Sequence, residues 1–111
     1  MNLEILQNAL VMAGVPVHRY YARKQTAQYI VWAEDGQGSA LNADDSMEAQ
    51  TITGTVDYFT RTENDPVIGK IQKALRDAGI PFSLNSVQFE PESTAKYIHY
   101  EWTWEAEYWL E

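Results

Sequence analysis

The chain has no cysteine among its 111 residues. That excludes disulfides, thiolate zinc sites and cysteine nucleophiles, and it fits folding in a reducing compartment. Basic residues are scarce: eight Lys and Arg face sixteen Asp and Glu, for a formal net charge of −8. The deficit is even, −4 over residues 1–60 and −4 over residues 61–111, so neither half offers the clustered cations that phosphate backbones require. Sequence-specific nucleic-acid binding is not expected, and the charge suits a protein that sits beside DNA without adhering to it. No basic, apolar leader opens the chain, and no apolar run approaches the length of a membrane span. The expectation is a soluble intracellular protein with no membrane partner.

What is abundant is apolar and aromatic: 45% hydrophobic residues and 13% aromatics, including four Trp and seven Tyr. Such a composition folds, and 111 residues suffice for one core, so residues 1–111 form a single domain.

Residues 6–17 read LQNALVMAGVPV and residues 71–82 read IQKALRDAGIPF, with six of twelve positions identical. Each copy spells the last turns of an amphipathic helix, a glycine stop and a proline that launches an extended segment. Gly14 and Gly79 fall where a helix closes in the left-handed conformation, and Pro16 and Pro81 follow where it cannot continue. AQYIVWAE at 27–34 and AKYIHYEW at 95–102 echo one another as well. Duplication of a half-domain and convergence on good junction chemistry both account for the repeat.

The first helix is predicted over Leu3 to Ala13, with Asn2 as a candidate cap and Leu3, Leu6, Leu10 and Ala13 on one face. The second starts at Asp65-Pro66, a capping carboxylate before a proline whose missing donor costs nothing at the first helical position. Ile68, Ile71, Leu75 and Ala78 form its buried stripe, and Lys70, Lys73, Arg76 and Asp77 face water. Gly69 weakens its first turn, which suggests close packing or a late-forming end. Extended segments are expected at Val17 to Ala22, Gln28 to Glu34, Gln50 to Arg61 and Pro81 to Phe89. YIVWA is apolar on both faces, as a central strand is, whereas Ile52, Val56 and Tyr58 alternate with Thr51, Thr53, Thr55 and Asp57. From Ile98 onward even positions are apolar and odd positions mostly polar, predicting a closing strand that runs nearly to the terminus. The fold class is therefore α+β: an antiparallel or mixed β-sheet with two helices packed on one face, in the order α-β-β-β-α-β-β.

Candidate chemistry is thin. His99 falls on the polar side of a strand beside Glu101, but no nucleophile or metal cluster accompanies it in the sequence, so it is expected to be solvated surface. Asp44, Asp45 and Glu48 lack the spacing of a calcium loop. DGQGS is a lone Gly-x-Gly without the phosphate-binding series, hence turn punctuation. No catalytic residue, cofactor or metal is expected. Contact surfaces are better marked. HRYYARK at 18–24 brings together Arg19, Tyr20, Tyr21, Arg23 and Lys24, the residue types that anchor interfaces, although a plain exposed edge strand has the same spelling. The stretch 34–50 carries five acids and no base, and reads as a long connection that is either disordered or functional. HRYYARK of one subunit meeting this acidic segment of the next would give head-to-tail complementarity, which builds rings or filaments. Trp109, on the polar side of the last strand, is the residue most in need of a partner's cover.

An N-terminal helix ending in AGVPV, a YIVW strand, a long polar connection, a threonine-rich strand ending YFTR, then NDPVIGKIQKALRDAGIPF and a closing YIHYEW strand together resemble the tail-terminator (tail completion) proteins of long-tailed bacteriophages and prophages. The resemblance spans nearly the whole chain. It departs from the family at Gln28, where many such proteins carry proline, and in the aromatic-acidic stretch past Trp104. It implies a non-enzymatic virion protein assembled in the host bacterial cytoplasm and placed in the tail. There it would form a ring with itself, commonly a hexamer, at the head-proximal end of the tail tube. The ring would stop polymerisation of the tail-tube protein and present a docking face to the head-tail connector proteins. By the same analogy the 34–50 segment would point toward the tube or its lumen. A connector or stopper ring subunit, and a small cytoplasmic binding module with an aromatic pocket, are the alternative readings.

Overall fold

The computed structural model describes residues 3–43, 46–90 and 96–109, with backbone alone at 39–43, 46–50 and 108–109. The elements are α1 (Glu4–Val11), β1 (Val17–Arg19), β2 (Gln28–Ala43), β3 (Ser46–Thr60), α2 (Val67–Asp77), β4 (Phe82–Phe89) and β5 (Ile98–Trp109), in the expected α-β-β-β-α-β-β order. The sheet is mixed: strand order β1-β2-β3-β5-β4, with β1 parallel to β2 and every other pair antiparallel.

Both glycine stops work as the repeated phrase predicts. Gly14 has φ +82° and Gly79 φ +73°. At the end of α2 the Gly79 N–H donates to the Arg76 carbonyl (3.0 Å) and the Ile80 N–H to the Leu75 carbonyl (2.9 Å), the paired bonds of a Schellman closure. α1 stops two residues earlier than expected because its last turn tightens: Met12, Ala13 and Gly14 each donate to the carbonyl three residues back, at 3.0–3.1 Å. The Asn2 cap lies outside the described residues. Gly69, by contrast, is exposed with open space around it, so no close packing explains it.

The core is one layer between the helices and one face of the sheet. Ile30, Trp32, Ile52, Val56, Tyr58, Trp102, Trp104 and Ala106 project from the strands against Leu6, Leu10, Ile71 and Leu75. The even-numbered positions of β5 supply the aromatic part, as period two predicts. Buried indole N–H groups usually find an acceptor, and each helix provides one: Trp32 Nε1 donates to Gln7 Oε1 of α1 (2.7 Å) and Trp102 Nε1 to Gln72 Oε1 of α2 (3.0 Å), while Trp104 Nε1 has no protein acceptor among the described residues. Gly54 makes room for the third indole. A β-carbon there would lie 2.3 Å from Trp104 Cζ2 and 2.1 Å from the Ala33 carbonyl oxygen.

Two expectations are corrected. The strand expected over Val17 to Ala22 is only three residues long: Tyr20 takes φ +74°, and after its N–H donates to the Trp32 carbonyl (2.8 Å) the chain leaves the sheet. Over 34–43 and 46–50 the acidic stretch is strand and not loop: β2 and β3 pair there as an antiparallel arm, with register shifts between Glu34 and Gly36, Gln37 and Ala40, and Leu41 and Asn42. β5 follows β3 outward as far as Ala49↔Trp109, and the molecule measures 54 × 26 × 23 Å. Extra residues in one strand of a pair are absorbed as bulges, so a segment without polar-apolar alternation still pairs once its neighbours fix the register.

Candidate functional site

Asp65 links the second helix to the sheet. As expected it caps α2, its Oδ1 accepting from the Val67 N–H at 2.9 Å. Its other oxygen does more than the sequence reading foresaw, accepting from Tyr58 Oη (2.6 Å), Thr60 Oγ1 (2.6 Å) and Gln28 Nε2 (2.9 Å). Burial pushes the carboxyl up, but the bonds from Thr60, Tyr58, the Val67 amide and Gln28 outweigh it and hold Asp65 below the ordinary aspartate range. Gln28 is thus tied to the helix start.

The HRYYARK segment divides. Arg19 lies on the helix side of the sheet edge with its guanidinium 4.6 Å over the Trp32 ring. It forms a two-point pair with Glu34, Nε to Oε1 at 3.3 Å and Nη2 to Oε2 at 2.6 Å, and Tyr20 Oη donates to the same Oε2 at 2.9 Å. The first acid of the 34–50 stretch therefore pairs with Arg19 within one chain, where complementarity between subunits was expected. Tyr20 and Tyr21 are exposed, Arg23 lies 5.2 Å over the Tyr21 ring, and Lys24 is exposed in the turn that follows. Asp44 and Asp45 fall outside the described residues. Glu48 and Trp109 are placed by backbone only, on β3 and at the outer end of β5, far along the chain from HRYYARK.

The sheet face away from the helices holds a constellation that sequence reasoning missed. Cross-strand register aligns His18, Val31, Asp57, Glu101 and Ser86 in one row and Tyr29, Phe59, His99 and Gln88 in the next. His99 is not solvated surface: its side chain is 16% exposed, its Nε2 lies 2.7 Å from Asp57 Oδ1, and its Nδ1 lies 3.3 Å from Glu90 Oε1. The ring stacks on Phe59 with centroids 4.3 Å apart, and Phe59 stacks in turn on Tyr29 at 4.7 Å. Glu101 accepts from Asn85 Nδ2 at 3.0 Å. The hydrogen bond to Asp57 raises the His99 pKa above 6.5 against the opposing effect of burial, with Asp57, Glu90 and Glu101 adding attraction for its charge. Asp57 also lines a cleft of about 320 Å³ whose other walls include Tyr20, Tyr21, Gln25 and Tyr29. Its signal in the sequence was indirect: His99 and Glu101 are legible as neighbours on one alternating strand, but only the β3·β5 register brings Asp57 to them.

At the far edge of the sheet, β4 carries no charged residue over Phe82–Phe89. A register shift between Leu84 and Ser86 sets Leu84, Val87 and Phe89 opposite Trp102, Tyr100 and Ile98, hence all on the helix side. They are 48%, 52% and 59% exposed.

No known family model matches the chain, and no curated protein sequence does either. Among solved structures, a crystal structure of a protein from Akkermansia muciniphila is similar to it with a TM-score of 0.51 and 12% identity, over 96% of this chain and 48% of that one. The likeness is one of fold, and the chain spans about half the length of that protein. Among the described residues no helix is long and apolar enough to cross a membrane.

Proposed function

We propose that this chain is a ring-forming subunit of a bacteriophage tail, acting as the tail terminator at the head-proximal end of the tube. The observation that carries the self-association is the unlikeness of its two sheet edges. One edge is β4, eight residues without a charge, bearing exposed Leu84, Val87 and Phe89. The other is the short β1, continued by exposed Tyr20 and Tyr21. An uncharged edge strand with one apolar face is a template for pairing with another chain. Two different edges that meet make a head-to-tail contact, which closes into a ring when the rotation between copies permits. The assignment to a phage tail comes from the sequence resemblance, which covers the same elements from the AGVPV helix end to the closing aromatic strand. The net charge of −8 keeps a lumen built from such subunits from holding DNA.

The test is mass in solution by light scattering over a range of protein and salt concentrations, alone and with purified tail-tube protein. The expected result is a discrete ring, or a monomer that caps and shortens tubes, with Val87→Lys and Phe89→Lys abolishing both. A monomer indifferent to tubes at every concentration would refute the assignment. A ring unaffected by either lysine would refute the role of the β4 edge.

A further inference from the structure

Asp57 and Glu101 stand directly opposite one another on β3 and β5, on the helix-free face. Like charges at opposed positions of a sheet repel, and Glu90 adds a third carboxylate to the same spot. His99 is the only basic partner within ion-pair distance of Asp57 and Glu90 among the described residues, and Glu101 has none. Even a protonated imidazole leaves this cluster with an excess of negative charge.

We infer that Asp57, His99 and Glu101 form a binding site for a divalent first-row transition-metal ion such as zinc. One ligand atom from each lies within 4.8 Å of the others. Metal bonds of about 2.1 Å place tetrahedral donor atoms about 3.4 Å apart, so side-chain rotations alone close the set. The imidazole is prepared for the role. Stacking on Phe59 sets its plane, Nε2 faces Asp57, and Nδ1 faces Glu90. A carboxylate behind the distal nitrogen is the arrangement that orients a metal-binding histidine and makes it a stronger ligand. Asn85 steadies Glu101 in the same way. One nitrogen with carboxylate oxygens selects zinc, cobalt or nickel over magnesium or calcium, which prefer oxygen alone. Three protein ligands leave a fourth position for water, and Asp57 is the one of the three that also lines the cleft with Tyr21 and Gln25. The site does not depend on the proposed assembly, since every ligand comes from one chain.

Untagged protein is stripped with chelator, dialysed, and titrated at neutral pH with ZnCl₂ by calorimetry and with CoCl₂ by visible absorption. The expected result is one ion per chain, a cobalt spectrum of tetrahedral intensity, and no comparable binding of MgCl₂. His99→Gln and Asp57→Asn should each weaken zinc by at least about 100-fold, and Glu90→Gln by about 10–100-fold through the loss of its support. His18→Gln should leave binding unchanged. Circular dichroism of each variant separates loss of a ligand from loss of the fold, and Glu101→Gln, at a partly exposed strand position, supplies a further ligand deletion should His99→Gln unfold. No zinc heat and no cobalt bands in the parent protein would overturn the inference. So would zinc binding that survives in folded His99→Gln, or magnesium binding of equal strength, since either would describe an acidic patch and not a histidine site.

Discussion

Replacing Asp65 with alanine removes one acceptor from four donors at once. The Val67 amide loses its cap, worth about 1 kcal/mol. Tyr58 Oη and Thr60 Oγ1, in residues with no exposed surface, lose bonds to a carboxylate, each worth about 1.5–3 kcal/mol. Thr60 keeps a contact with the Thr62 amide (3.1 Å) and half-buried Gln28 turns to water, so their shares fall at the low end. The sum is about 4 kcal/mol, a large part of the roughly 5–15 kcal/mol that holds a domain folded. Asp65→Asn keeps the shape but must turn its NH₂ either to the Val67 amide or to the three side-chain donors, and should cost about 2 kcal/mol. Tyr58→Phe removes one donor and leaves Asp65 three others, at about 1 kcal/mol. Urea unfolding followed by tryptophan fluorescence reads all three, since Trp32, Trp102 and Trp104 are buried, and an unchanged slope shows that the same surface is exposed. The pH dependence follows from the depressed carboxyl. A group whose folded pKa lies below its ordinary 3.8 contributes its stability above that value and loses it as the pH falls through the folded pKa. The gap between wild type and Asp65→Asn should therefore be constant from neutral pH to about 4 and shrink below it. A cost under about 1 kcal/mol for Asp65→Ala, or a gap that does not change in acid, would refute the hub.

Gly69→Ala, on an exposed turn of α2 with open space around it, should stabilise by about 0.5–1 kcal/mol, seen as a higher melting temperature. Gly54→Ala should destabilise by about 3 kcal/mol or more, because its β-carbon meets a backbone oxygen and an indole that cannot both retreat; a melt within a few degrees of wild type would show that the sheet yields there. In chelator, the advantage of wild type over His99→Asn should be full below about pH 6.5 and decline as the pH rises through the folded pKa, because the hydrogen bond to Asp57 favours the charged ring. Denaturant midpoints at stepped pH read it, and a gap that grows with pH would contradict the assignment.

The parts of the fold legible in the sequence were those written locally. Gly14 and Gly79 specify helix ends because the left-handed closure needs no partner elsewhere. The alternation from Ile98 specifies the buried face of β5 because one strand suffices to show period two. The arm was illegible for the opposite reason: EDGQGSALNADDSMEAQ has neither alternation nor β-branched density, and the pairing of residues 34–43 with 46–54 is inherited from YIVWA and TITGT on either side, with bulges taking up the misfit. Asp57 and His99 lie 42 positions apart, and nothing near either one names the other. Asp65 shows a half-legible case. Its position before Pro66 gives away the cap, while Tyr58, Thr60 and Gln28 reach it only through the β2·β3 register.

The Arg19–Glu34 pair bears on where an assembly contact would lie. Head-to-tail complementarity between HRYYARK and the acidic segment required both to be free, yet Arg19 is bound to Glu34 at 2.6 Å and lies over Trp32 within its own chain. That pair is only partly exposed, at 34% and 22%, and a two-point guanidinium-carboxylate contact is the geometry most resistant to exchange with a neighbour's charge. Of the basic groups in this segment, Arg23 and Lys24 remain to meet another subunit, beside exposed Tyr20 and Tyr21, and Arg23 is itself stacked over Tyr21. The chemistry left at this edge is aromatic more than ionic, and that of β4 is apolar, with Phe89, Val87 and Leu84 exposed and no charge along the strand. A contact between two such edges is held by apolar burial and strand pairing. The proposed ring should then persist, and even tighten, as salt rises, where one held by Arg19 and the acidic arm would dissociate.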